Sequence, residues 1–197
     1  MGLIEYATLV GDAVPDVSAA LLEYATAGNG LFVRARRDVC QVAIPVAEAR
    51  IPGLVDLEPA MQLLVPKVRK AYLERVFDSA RRACIAAGTP AEYLCYLTWT
   101  GVEWEYLEPE QQATPTSVRP VGRGLADHVR ATIEIHSHHE MRARFSVTDD
   151  ADEATGFRIY GVVGRIFSKP EIALRVGCHG HFLPIEACDL FEAGEVP

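Results

Sequence analysis

The hydrophobic period of the chain changes sharply at Gly88-Thr89-Pro90, and that change constrains the fold more than any other feature. Before it, Val65, Val68, Tyr72 and Val76 recur at helical spacing, as do Leu73, Phe77, Ala80 and Cys84. Lys67, Arg69, Lys70, Glu74, Asp78, Arg81 and Arg82 fill the opposite face. One apolar stripe on a 3.6-residue repeat predicts an amphipathic helix from about Pro66 to Ala87. Pro66 suits its first turn, and Gly88 followed by Pro90 stops it. After the stop the period is two. AEYLCYLTW is apolar on both faces and predicts a central strand. VEWEY sets Val102, Trp104 and Tyr106 against Glu103 and Glu105, a strand with one wet face.

LEPEQQATPTS reads as a polar loop, and RATIEIHSH as the next strand. There Ala131, Ile133 and Ile135 point one way, and Thr132, Glu134, His136 and His138 the other. A short helix is expected from about Thr148, capped by Ser146 or Thr148 above Asp149, Asp150 and Asp152. FRIYGVVGRIF and EIALRVG read as two strands joined at Ser168-Lys169-Pro170, with HFLPI as a last one. Upstream, Gly28-Asn29-Gly30 signals a turn, and LFVRA with VCQVAIPV predicts a β-hairpin. The expected fold is α/β, a mixed β-sheet with flanking helices, preceded by an N-terminal β-hairpin extension over 1–60. The main domain covers 61–197.

Charge and cysteine usage narrow the function classes. Lys plus Arg is 19 and Asp plus Glu is 27, a formal net charge of −8. A phosphate backbone is therefore not an expected partner. No apolar run reaches the ~18 residues of a membrane helix. The start carries no basic, apolar leader pattern, and Tyr6 stands where a myristoylation signal needs Ser or Thr. The five cysteines are far apart with no CxxC pair, which points to reduced thiols and a cytoplasmic protein.

The chemistry is expected in His136-Ser137-His138 and the eleven residues that follow, ending at Asp149. Histidines at i and i+2 on a strand project from one face and can converge on a single ion. Asp149 closes the set if the chain turns back into a helix. Two His and one Asp make three N/O ligands, leaving a fourth tetrahedral position for water, the arrangement of catalytic zinc. A carboxylate must then shuttle the proton. HxH alone is a weak signal: His179-Gly180-His181 is also HxH without matching partners, and a structural or surface role is expected for it. H-x-H-x₇-S-x₂-D is far more specific, arising by chance in roughly one chain in four thousand of this composition.

This pattern resembles the JAMM (MPN-plus, prokaryotic JAB) metalloproteases, which include deubiquitinating isopeptidases, over about residues 62 to 190. The resemblance implies a JAMM/MPN, cytidine-deaminase-like sandwich. It implies one catalytic zinc on His136, His138 and Asp149, with Glu92 as general base and acid and Ser146 donating to the tetrahedral intermediate. Glu92 lies 44 residues before His136, where periodicity places a helix end and a buried strand. Glu103, Glu105 and Glu134 are its rivals. The family often has Pro after the second His, where this chain has His139, a possible competing ligand, as is Asp150 beside Asp149.

HSHHEMRARFSVTDDADE running into GFRIYGVVGRIF, with the hairpin ahead of it, looks like the PRTRC system protein A group of bacterial JAB proteins. That likeness implies a ubiquitin-like protein as substrate, its tail extended across the zinc, and E1-like and E2-like proteins of the same cassette as partners. Loops 108–117 and 140–145, the second bearing Arg142 and Arg144, are candidate tail-binding segments. The competing readings are a non-catalytic MPN scaffold and a zinc hydrolase of sulfur-carrier or cysteine metabolism.

Overall fold

The computed structural model describes residues 2–11, 13–17 and 19–193. It is a mixed α/β structure, mostly strands in three sheets, with four helices among the described residues. No described helix is long and apolar enough to cross a membrane. The chain divides into two compact units: Met1–Pro66 with Glu153–Phe157 and Val176–Leu183, and Lys67–Asp152 with Arg158–Arg175 and Pro184–Pro197.

The first unit is built on a five-stranded sheet: β1 (Ile4–Thr8), β2 (Leu22–Ala27), β3 (Gly30–Arg36), β4 (Cys40–Glu48) and β5 (Ala60–Leu63), in that order. The hairpin read from LFVRA and VCQVAIPV is β3 with β4, antiparallel from Gly30↔Glu48 to Arg36↔Gln41. The extension is more than a hairpin, however. β2 pairs antiparallel to β3 through the Gly28-Asn29 turn, and β1 pairs parallel to β2. Leu9, Ala25, Ala27, Phe32 and Ala43 form its core with Val55 and Leu57 against them. One cross-strand pair is ionic and buried: Arg34 Nη1 donates to Glu23 Oε1 at 2.9 Å.

The second unit opens with α1 (Lys70–Ala87), whose Leu73, Val76, Phe77, Ala80 and Cys84 are buried. The helix starts four residues later than its apolar period predicts. Val68 instead donates its N–H to Leu190 O and accepts from Glu192 N, so residues before Lys70 run extended. Gly88 closes the helix at φ 65°, the left-handed conformation glycine adopts freely. Strands β6 (Leu94–Trp99), β7 (Trp104–Leu107), β10 (Ile133–Ser137), β11 (Phe157–Gly164), β12 (Glu171–Cys178) and β13 (His181–Ile185) form one sheet, ordered β13-β12-β11-β10-β6-β7.

One expectation is corrected here. The presumed polar loop after Leu107 contains β8 (Gln111–Thr114) and β9 (Ser117–Pro120), a two-stranded antiparallel hairpin. Its strands carry polar side chains, so no period marks them. A short helix, α2 (Gly124–Arg130), follows in a stretch to which the sequence pattern assigns no element. The last two helices, α3 (Val147–Asp152) and α4 (Ala187–Leu190), are each under two turns.

Candidate metal centre

β10 is flanked on both sides, parallel to β11 and antiparallel to β6, with His136 opposite Val162 and Leu94. Ile133 and Ile135 are fully buried on one face, a gain of about 1.5–3 kcal/mol each. That burial fixes which face the even-numbered residues take, because a one-residue slip would invert every side chain. His136 therefore points to the opposite face. His138 lies one residue past the strand end but keeps its register, donating its N–H to Val163 O at 2.8 Å.

Asp149 reaches the same point from α3. Ser146 precedes that helix: Asp149 N donates to Ser146 Oγ at 3.2 Å, and Ser146 N donates to Asp149 Oδ2 at 2.6 Å. This is a reciprocal capping box. It occupies Oδ2 and leaves Oδ1 facing His136 Nε2 at 3.2 Å. The Ser146 hydroxyl accepts in this bond and keeps its own proton to donate.

The ligand atoms of His136, His138 and Asp149 all lie within 4.8 Å of one another, and they are the one such group among the described residues. His136 Nε2 and His138 Nε2 are 3.1 Å apart, and His138 Nε2 is 3.9 Å from Asp149 Oδ2. Tetrahedral arms of ~2.0–2.1 Å put ligand atoms about 3.3 Å apart, so these separations suit a single ion. The donor set, two imidazoles and a carboxylate, fits a divalent metal with an open position. Electrostatics agree. Burial and neighbouring His136 lower the His138 imidazole, favouring its neutral, ligating form. Burial pushes Asp149 upward, but His136 and the bonds from Ser146 outweigh it and hold the carboxyl well below the usual range.

Glu92 stands beside this group, its Oε1 3.9 Å from His138 Nε2, and is 5% exposed. Burial pushes its carboxyl up to about 7; His136 pulls it down and Asp149 pushes it further up. It sits between α1 and β6 on an irregular stretch held by side chains and carbonyls. Glu92 N donates to Thr114 O at 2.9 Å and Tyr93 N to Ser137 Oγ at 2.9 Å. Leu94 N donates to Gln111 Oε1 at 2.8 Å. Ser137 and Gln111 went unnoticed in the sequence. The one clue was a serine between two ligand histidines, a polar side chain inside an otherwise buried strand.

The rivals go elsewhere. Glu103 and Glu105 are exposed. Glu134 pairs with Arg158 and lies 3.3 Å from His128 Nδ1; burial would raise its carboxyl, but His128 and Arg158 outweigh that and lower it. Asp150 is taken by Arg175 at 2.5 Å. His139 uses both ring nitrogens: Glu140 N donates to Nδ1 at 2.9 Å, and Nε2 lies 2.8 Å from Pro115 O. It is not part of the ligand group. His179 and His181 gather no third ligand among the described residues. His179 turns at φ 49°, and His181 Nε2 meets Tyr24 Oη at 3.3 Å. Arg142 and Arg144 are exposed on the segment between the histidines and α3.

The five cysteines are free, with Cys188 exposed and the others buried. Burial pushes Cys40 and Cys95 up to about 12, so they are poor nucleophiles. Among the described residues the His-His-Asp group is the one set that could hold a metal ion, and Glu92 stands beside it. No family model matches the chain, and no curated protein matches it.

Proposed function

We propose that the chain is a zinc metallopeptidase of the JAMM type, with the sandwich fold that name implies. Its substrate would be the C-terminal tail of a ubiquitin-like modifier, trimmed from a precursor or released from a conjugate. The observation that carries the reading is the convergence of three ligand groups with one buried carboxylate poised near neutrality beside them. Zinc, when bound, supplies a Lewis acid that makes water acidic near pH 7.

The chain's own residues do the rest. Glu92 Oε1 takes the proton of the attacking water and returns it to the leaving amine, a task suited to a carboxyl near 7. Ser146 holds Asp149 with Oδ1 inward and can lend its hydroxyl proton to the oxyanion. Ser137 and Thr114 fix the backbone at Tyr93 and Glu92. E1-like and E2-like proteins would be partners of the same pathway, and the compartment would be the cytoplasm.

The test pairs metal analysis with cleavage. Wild type and Glu92→Gln are purified, bound zinc is measured in each, and both are offered a ubiquitin-like protein from the same genome extended past its Gly-Gly. About one zinc in each, with trimming by wild type alone, is the expected result. No zinc in wild type refutes the metallopeptidase and favours the scaffold reading. Zinc with no cleavage of this or any extended modifier refutes the substrate class and favours a small-molecule hydrolase.

A further inference from the structure

We propose that His139 is a positioning residue: it ties the tip of the β8–β9 hairpin to the ligand segment and so sets where Glu92 stands. Its catalytic consequence rests on the metallopeptidase reading; the tie itself does not.

The hydrogen-bond chemistry assigns the ring. A backbone N–H can only donate, so Glu140 N makes Nδ1 the acceptor. A carbonyl can only accept, so Nε2 carries the proton and donates it to Pro115 O at 2.8 Å. Both ring nitrogens are thus engaged. The residue is 8% exposed and held at φ 36°, a left-handed conformation that L-residues seldom adopt. Ile166 N donates to its carbonyl at 3.0 Å and fixes it there.

The adjoining carbonyl makes the link matter. Thr114 O accepts from Glu92 N at 2.9 Å. Two successive carbonyls at one turn therefore hold, respectively, the general base and the residue after the ligand His138. The hairpin needs such a tether. Residues 112–117 are exposed, and a lone two-stranded ribbon is marginal in water. Val118 packs against the cluster of Leu94, Tyr96 and Ala131, which anchors the arm of the hairpin and not its tip. Without the bond from His139, the tip keeps the bond from Glu92 N but loses its tie to the ligand segment, and any shift of the tip carries the Glu92 backbone with it.

The experiment uses the full chain and two substitutions. His139→Asn keeps a polar side chain that tolerates a left-handed backbone, but it stops short of Pro115. His139→Gln places an amide N–H at about the reach of Nε2. Hydrogen exchange of 111–117 and of the Glu92 amide is followed by mass spectrometry, with bound zinc measured alongside. In H139N, exchange at the tip should quicken about fivefold, the worth of one ordinary hydrogen bond. Zinc content should equal wild type, and kcat on the extended modifier should fall about tenfold with KM within twofold. H139Q should restore all of these toward wild type.

Unchanged exchange in H139N, or H139Q no better than H139N, overturns the proposal. So does loss of zinc from H139N with the hairpin unmoved, which would make His139 a ligand. If wild type itself cleaves nothing, the metallopeptidase reading falls, while the exchange comparison still decides the tether.

Discussion

Replacing Glu92 by Gln should stabilise the metal-free protein, by an amount that grows with pH. The carboxyl rises from an ordinary 4.5 to about 7 on folding, chiefly because burial disfavours its charged form. Between those values the folded chain keeps a proton that the unfolded chain has released. Stability therefore falls as pH rises through the window. At 1.36 kcal/mol per tenfold change in proton affinity, wild type loses roughly 3 kcal/mol between pH 4 and pH 8. Gln has nearly the same shape and cannot ionise, so it escapes this loss. Urea unfolding followed by circular dichroism, with chelator present, measures the difference between the two proteins. Every other titrating group is common to both and cancels. The gap should be near zero at pH 4 and roughly 3 kcal/mol in favour of E92Q at pH 8. A dication beside the carboxylate stabilises its charged form, so added zinc should narrow the gap. A gap independent of pH, or a wild type more stable than E92Q at pH 8, would refute the reasoning.

Two further outcomes are expected. Ser146→Ala removes the cap of α3 and one restraint on Asp149; zinc affinity by competition titration should fall about tenfold, with about 1 kcal/mol lost from stability. Arg34→Met leaves Glu23 charged and buried, and should cost about 3–5 kcal/mol by chemical denaturation. Adding Glu23→Leu to it should recover most of that loss, since an apolar pair can occupy the same space.

How much of this was legible in the sequence depended on where the residue pattern and the packing say the same thing. The stripe of Leu73, Phe77, Ala80 and Cys84 and the alternation of Ile133 and Ile135 each report one buried face, and both elements form. The clustering of the candidate ligands is legible for the same reason: a period of two puts His136 and His138 on one side. The S-x-x-D spacing is legible twice over, as ligand spacing and as a helix cap. What escaped is held by backbone and by single side chains. β8 and β9 carry too few apolar residues to show a period and are held by mutual pairing, by Val118 and by Gln111, whose amide bonds both Leu94 N and Leu94 O. β1 pairs parallel with β2, a contact no local pattern encodes. The helix start is displaced because Val68 bonds residues near the far end of the chain. His139 reads as a spare ligand until its two ring partners are seen.

The capping box and the strand pair that build the centre also differ in how far apart along the chain their parts lie. The candidate ligands span 13 steps of chain, from His136 to Asp149, while the Tyr93–Ser137 bond beside Glu92 closes a loop of 44. Closing the shorter loop costs about 1 kcal/mol less chain entropy. An unfolded chain therefore gathers the candidate ligands more readily than it makes the bond beside Glu92. Metal bound by the unfolded chain subtracts from the stabilisation that metal gives the fold. The rise in melting temperature on adding zinc should thus fall short of that expected from the affinity of the folded protein.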